Sequence, residues 1–163
     1  MKKLILITTA LFITTAQAKV NVNLSLGSMK HKNDNDTTTS MSMEVSGHKK
    51  ILGDLFLGLG AESQFTTEIN NSNDGATIID IFPSLSYKLT SDLYISGTIG
   101  YTYGKTGSLT FTGRSKSIGA EYYLSKKNGI GIRYKKYDID YSTTSGNIPD
   151  TLTSTTISYL LKF

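Results

Sequence analysis

The residues from Val20 to Gly27 read Val-Asn-Val-Asn-Leu-Ser-Leu-Gly, an uninterrupted alternation of apolar and small polar side chains. Successive side chains of a β-strand point to opposite faces of a sheet, so this stretch presents one apolar and one polar face. A helix would place residues that are two apart on different sides and would mix the two kinds of side chain. The stretch therefore predicts a β-strand.

The same two-residue period recurs seven more times along the chain. Its apolar positions are Met41, Met43 and Val45; Leu55, Leu57, Leu59 and Ala61; Ile79, Ile81, Leu85 and Tyr87; Leu93, Ile95, Ile99, Tyr101 and Tyr103; Ile118, Ala120, Tyr122 and Leu124; Ile130, Ile132 and Tyr134; and Ile157, Tyr159, Leu161 and Phe163. Helical periodicity is almost absent between them. The sequence thus predicts an all-β domain of eight strands.

The polar positions of these strands indicate which face of a closed sheet is apolar. They carry side chains too small and polar to fill a core: Asn21, Asn23, Ser25, Gly27, Gly58, Gly60, Ser84, Ser86, Thr98 and Gly100. A membrane barrel turns its apolar face to lipid and its polar face to the lumen. We therefore predict an eight-stranded antiparallel up-and-down transmembrane β-barrel, with a soluble periplasmic barrel as the alternative.

The connections between the predicted strands alternate in character. Those after odd strands are polar (30–38, 67–76, 105–108 and 142–150), and those after even strands look tighter (50–53, 90–92 and 125–128). Bacterial outer-membrane barrels have longer extracellular loops and short periplasmic turns. This pattern predicts that odd strands run outward.

Two positions interrupt the alternation. Pro83 removes a backbone donor from strand four, which predicts a bulge there. Leu109 and Phe111 have the opposite parity to Ile118, so either a bulge near Gly113 restores the pattern or Phe111 faces the lumen.

Aromatic residues fall near the predicted strand ends. We expect two aromatic girdles at the membrane interfaces. The outer girdle would consist of Phe65, Tyr101 and Tyr103, and the periplasmic girdle of Tyr87, Tyr122, Tyr159 and Phe163.

The first 18 residues have the pattern of a secretory signal peptide. Lys2 and Lys3 precede the apolar run Leu4–Ile13, and a small-x-small sequence ends at Ala18. We expect cleavage there, export, and a barrel domain over residues 19–163. Without Lys2 and Lys3, 15 basic residues face 13 acidic ones, which does not favour nucleic acid as a partner. The absence of cysteine excludes a disulfide scaffold.

The chain ends Ile-Ser-Tyr-Leu-Leu-Lys-Phe, with Tyr159, Leu161 and Phe163 at every second position. This ending resembles the final strand of outer-membrane barrel proteins. Strand number and size resemble the small porin-family barrels of the opacity-protein and attachment/invasion group. The resemblance implies that Tyr159, Leu161 and Phe163 are the signal read by the barrel-assembly machinery. It also implies location in the outer membrane of a Gram-negative cell, in contact with outer-membrane lipid and lipopolysaccharide.

Charged residues occupy the polar positions of several strands. The acidic ones are Glu44, Glu62, Asp80 and Glu121, and the basic ones are Arg133 and Lys135. An eight-stranded barrel is just wide enough for side chains to fill. We expect these six residues to form a polar network in the lumen, with a narrow conduit for protons or small ions as the alternative.

No catalytic, metal or cofactor site is predicted. His31, with Ser28 or Ser40 and Asp34, has the residue types of a hydrolytic site, but His31 reads most simply as an exposed loop residue. His48 lies near the opposite end of the barrel. The segments 33–36 and 70–75 contain oxygen ligands without the full spacing of a calcium loop.

Basic residues near the outward strand ends could pair with lipopolysaccharide phosphates. They are Lys30, Lys32, Lys105, Arg114, Lys116 and Lys136. We expect a non-enzymatic surface protein with a structural or adhesin-like role through its loops and an unidentified extracellular ligand. A narrow channel is the alternative, and a lipid A-modifying enzyme is less favoured.

Overall fold

A computed structural model describes residues 19–31, 37–67, 75–144 and 146–163. The strands are β1 Lys19–His31, β2 Thr37–Leu52, β3 Leu55–Thr66, β4 Ala76–Lys88, β5 Leu93–Thr106, β6 Leu109–Tyr123, β7 Asn128–Thr143 and β8 Gly146–Lys162. Each strand pairs antiparallel with its chain neighbours, and β8 pairs with β1 to close a barrel. The predicted eight-stranded barrel is confirmed. Within the described residues, no helix has the length and apolar character needed to span a bilayer.

The strands are staggered around the ring. The stagger is found by starting at Lys19 and moving from each residue to its partner on the next strand, from β2 round to β8. This path returns to β1 at Met29, ten residues after its start. Such a stagger requires strands that tilt relative to the barrel axis. Interior residues that lie at one level are therefore far apart in the sequence.

The apolar face of the sheet points outward. Large apolar side chains are exposed around the whole ring, including Leu26 (58%), Ile99 (71%), Ile118 (67%) and Ile157 (66%). The small polar positions, such as Asn23, Ser84 and Thr98, are buried inside. This is the inverted arrangement that the sequence predicted for a membrane barrel.

The two ends of the barrel differ. The turn end contains the connections 53–54, 89–92 and 124–127, the start of β1 and the end of β8. The other end, here the loop end, contains the connections after odd strands. All four are shorter than predicted, most clearly β7–β8, which like β5–β6 is joined by only two residues. Their polar residues extend the strands, since backbone pairing continues regardless of side-chain polarity. Segments 32–36 and 68–74 lie outside the described residues.

The expected bulge at Pro83 is wrong. Pairing of β4 with β5 is interrupted between Ile81 and Ser84 but resumes in the same register, so the missing donor causes a gap without an extra residue. The β6 pairings also continue past Gly113 without a shift, and Phe111 is completely buried in the lumen.

Candidate functional site

The middle of the lumen holds an ion cluster centred on Lys135 of β7. The Lys135 ammonium lies 2.5 Å from the Glu62 carboxylate and 2.6 Å from the Asp80 carboxylate. Thr102 and Ser115 also donate hydrogen bonds to Asp80, at 2.8 and 2.7 Å. All of these side chains are buried, so the cluster joins β3, β4, β5, β6 and β7 across the lumen. The cation and both carboxylates therefore have partners within one buried polar network.

A second ion cluster lies two residues closer to the turn end. Arg133 donates to the Glu44 carboxylate, and its other terminal nitrogen lies 4.0 Å from Glu121. Asn23 donates to the remaining oxygen of Glu44 at 3.0 Å, and the Tyr123 hydroxyl donates to Glu121 at 3.2 Å. The structure thus brings all six charged residues identified in the sequence into two clusters, with β7 supplying both cations.

An apolar cluster fills the lumen at the loop end. Its members are Met29, Ile78, Phe111, Tyr137, Ile139, Tyr141 and Leu152. The rings of Phe111 and Tyr141 meet edge to face at 5.2 Å. The Tyr137 hydroxyl donates to Gln64 at 2.5 Å, which ties this cluster to the polar network. Sequence reasoning missed this loop-end cluster, although Tyr137, Ile139 and Tyr141 continue the parity of Arg133 and Lys135 on β7.

Aromatic side chains narrow the lumen at the turn end. The rings of Phe56, Tyr94 and Tyr123 pack in sequence, with centroids 5.9 and 5.4 Å apart. The Lys162 ammonium lies 4.4 Å from the centroid of the Tyr123 ring, within cation–π range. The lumen therefore carries side chains that narrow or fill it at every level.

The expectation of an exposed loop position for His31 is wrong. His31 ends β1 with its side chain inside the barrel, only 5% exposed, and its Nδ1 lies 2.8 Å from the Asp150 carboxylate. The sequence could not reveal this partner, because 119 positions separate it from His31. Ser28 faces outward, Ser40 is buried, and Asp34 lies outside the described residues. His48 is inside near the turn end, 3.1 Å from the Ser46 hydroxyl.

The predicted girdle residues all lie on the outer surface. Phe65, Tyr101 and Tyr103 are near the loop end, at 47–61% exposure. Tyr87, Tyr122, Tyr159 and Phe163 are near the turn end, at 44–76% exposure. Of the predicted assembly signal, Tyr159 and Leu161 lie on the outer side of β8 next to β1, and Phe163 follows the last residue of β8.

Basic residues predicted at the outer rim gather mainly on β6 and β7. Lys116 pairs with Lys136, and Arg114 pairs with Asp138, all on the outer face. Asp138 lies 2.6 Å from Lys136, whereas neither Arg114 nor Lys116 has a carboxylate within ion-pair distance among the described residues. Lys30 and Lys105 are exposed on other strands.

Some sequence candidates lie partly outside the described residues. These are Lys32 and nearly all of the two loop segments considered for calcium, 33–36 and 70–75, of which only Gly75 is described.

Comparison with known proteins identifies a shared fold. The model of the family described as "Outer membrane protein beta-barrel domain" matches residues 4–163. The outer membrane enzyme PagL has a TM-score of 0.66 and 16% identity, covering 86% of this chain and 98% of its own.

Two further solved structures give similar scores. Ail, the attachment invasion locus protein of Yersinia pestis, has a TM-score of 0.61 and 8% identity, covering 90% of this chain and 97% of its own. Neisserial surface protein A has a TM-score of 0.59 and 11% identity, with the same coverage. Identities this low show the fold alone. No curated protein sequence matches the chain significantly.

Proposed function

The chain belongs to the family of outer-membrane protein β-barrel domains, and from this premise we propose that it is a non-enzymatic barrel with a closed lumen that acts through its outer surface. The observation that carries the proposal is the packing of the lumen. Two ion clusters cross the lumen, and the apolar cluster fills it between them and the loop end. The interior of an eight-stranded barrel is just wide enough for side chains to fill, so such clusters favour a lumen without a continuous channel.

Planar-bilayer recordings of the purified protein test the closed lumen. We expect no steady single-channel steps from the wild-type protein. A porin of known conductance, recorded in the same bilayers, provides the positive control. Steady steps from the wild-type protein would replace this proposal with the channel alternative.

The cations on β6 and β7 suggest what the outer surface binds. Arg114 and Lys116 lie on the outer face without a carboxylate partner among the described residues, on the strand that pairs with Tyr101 and Tyr103. Lipopolysaccharide phosphates lie at the outer membrane interface, where guanidinium and ammonium groups form charge-assisted hydrogen bonds with them. We infer that these side chains hold the barrel among lipopolysaccharide molecules.

Thermal unfolding with added lipid A measures this binding. Phosphorylated lipid A should raise the unfolding temperature of the wild-type protein more than dephosphorylated lipid A does. The difference should disappear in Arg114→Gln/Lys116→Gln and persist in Lys49→Gln/Lys50→Gln, which loses the same charge at the turn end. Equal effects of the two lipids on the wild-type protein would disprove the contact.

The enzyme alternative depends on His31 and Asp150. This pair has the geometry of an oriented base, but it faces the lumen, whereas a membrane lipid would approach from the outer surface. We therefore expect the same lipid A mass spectrum from three kinds of cell: cells with the wild-type protein, cells with His31→Ala, and cells with neither. Loss of an acyl chain only with the wild-type protein would establish an enzyme.

A further inference from the structure

A surface depression lies at the turn end of the barrel, where the end of β8 meets the start of β1 and the connection 124–127. Its lining combines ammonium groups with apolar side chains: Lys19, Lys126, Lys127, Leu161, Lys162 and Phe163. Backbone hydrogen bonds hold it together, because Lys162 N donates to Lys127 O at 2.7 Å and Phe163 N donates to Val20 O at 2.8 Å. We call it the seam depression.

The lysines of the seam depression form no ion pairs with carboxylate side chains in the described residues, although Lys162 lies within electrostatic range of the Glu121 carboxylate. Lys19 and Lys162 are close enough to repel one another. Grouped ammonium groups that are not held in ion pairs favour an anionic ligand.

The apolar part of the lining narrows the choice of anion. Phe163 is 76% exposed, and the turn end carries further exposed apolar side chains at Leu52 (77%) and Leu124 (64%). Apolar side chains gain stability by leaving water, so their position places this end of the barrel at the edge of the lipid. A cell-wall polymer would offer hydroxyls and carboxylates but no group to cover Leu161 and Phe163.

We propose that the seam depression binds an anionic phospholipid of the inner leaflet, with its phosphate among Lys19, Lys126 and Lys127 and its acyl chain against Leu161 and Phe163. Juxtamembrane lysines are attracted to anionic lipid surfaces, and here they lie beside apolar side chains. The site lies at the opposite end from Arg114 and Lys116, so its occupancy can be measured separately from lipopolysaccharide binding.

The absence of tryptophan from the chain allows a local test. Phe163→Trp places a single fluorophore in the seam depression and keeps an aromatic residue at that position. The protein is refolded into vesicles that contain equal amounts of phosphatidylglycerol and phosphatidylcholine, with one or the other brominated as a quencher. We expect brominated phosphatidylglycerol to quench about three- to fivefold more strongly. Equal quenching would overturn the proposal.

Charge variants of the reporter protein locate the effect. The stronger quenching by brominated phosphatidylglycerol should disappear in Lys19→Gln/Lys126→Gln/Lys127→Gln. It should remain when the same three lysines are replaced by arginine. It should also remain in Lys49→Gln/Lys50→Gln, which loses two turn-end charges outside the lining of the seam depression. Loss in both glutamine variants, or in neither, would overturn a defined site.

Two further controls keep the result interpretable. Heat-modifiable gel mobility selects folded protein in every preparation. Tyr103→Trp at the loop end should report quenching that the turn-end variants leave unchanged. Sedimentation of the purified barrel with peptidoglycan tests a cell-wall site. If Lys19→Gln/Lys126→Gln/Lys127→Gln abolishes this sedimentation and leaves lipid quenching unchanged, the lysines belong to a cell-wall site and the proposal is wrong.

Discussion

The loop-end half of the lumen is filled by apolar side chains, whereas the middle is filled by paired charges. One strand supplies both kinds: β7 places Arg133 and Lys135 in the ion clusters and Tyr137, Ile139 and Tyr141 in the apolar cluster. An apolar side chain packs against many neighbours of suitable shape, but a buried ion needs its particular partner. The loss of one side chain should therefore lower the free energy of unfolding by different amounts in the middle of the lumen and at its loop end.

The largest effect is expected in the middle of the lumen. Lys135→Met leaves Glu62 and Asp80 buried without their cation, which should lower the free energy of unfolding by about 4 kcal/mol. Urea titration in lipid vesicles measures the change. The matched control is Lys136→Met, because the Lys136–Asp138 pair is half-exposed and should contribute less than about 1 kcal/mol. Similar losses in both variants would contradict a special cost of the buried cluster.

Removal of an aromatic ring should weaken the loop-end half somewhat less. Phe111→Ala leaves a cavity that neighbouring side chains only partly fill, at a cost of about 3 kcal/mol. The same titration in vesicles gives the value. Phe65→Ala removes the same ring from the outer surface and should cost less, because it leaves no internal cavity. A larger loss for Phe65→Ala would show that Phe111 does not support the packing.

A close backbone approach gives a finer test of the loop-end half. A Cβ atom on Gly104 would lie 2.1 Å from the tip of the Phe111 ring, so Gly104→Ala must displace the ring, at a cost of about 1–2 kcal/mol. Gly97→Ala is the matched control on the same strand, where the nearest atom is 3.6 Å away. The Phe111→Ala background should remove the penalty of Gly104→Ala, and a double-mutant cycle measures this coupling. Additive losses would exclude the contact.

The smallest effect concerns the sheet itself. Pro83→Ala restores a backbone donor at the gap between β4 and β5, and the side chain faces outward. We expect stability to change by less than about 1 kcal/mol, because the register is already continuous. Hydrogen exchange at neighbouring amides should slow if the gap closes. A loss of several kcal/mol would mean that Pro83 has a packing role that its exposed position does not suggest.

The sequence identified the strands and the side chains of each strand that point into the lumen, because both follow from a period of two residues. The alternation of Val20–Gly27 needs no knowledge of neighbours, and the same rule put Glu62 and Lys135 inside. It also offered the correct position for Phe111 as one of two alternatives. It failed where chain continuity matters more than polarity, as in the two-residue connections after β5 and β7 and at Pro83, where a bulge was expected.

By itself, the sequence determined a closed, inverted barrel with a charged interior, since those properties depend on side-chain alternation along each strand. Tertiary structure decided which interior groups meet. The ten-residue stagger places Lys135 beside Glu62 and Asp80, pairs His31 with Asp150, and gathers the ends of β1 and β8 into the seam depression. Closure of the ring sets these contacts, because the level of a residue depends on the tilt of all eight strands together.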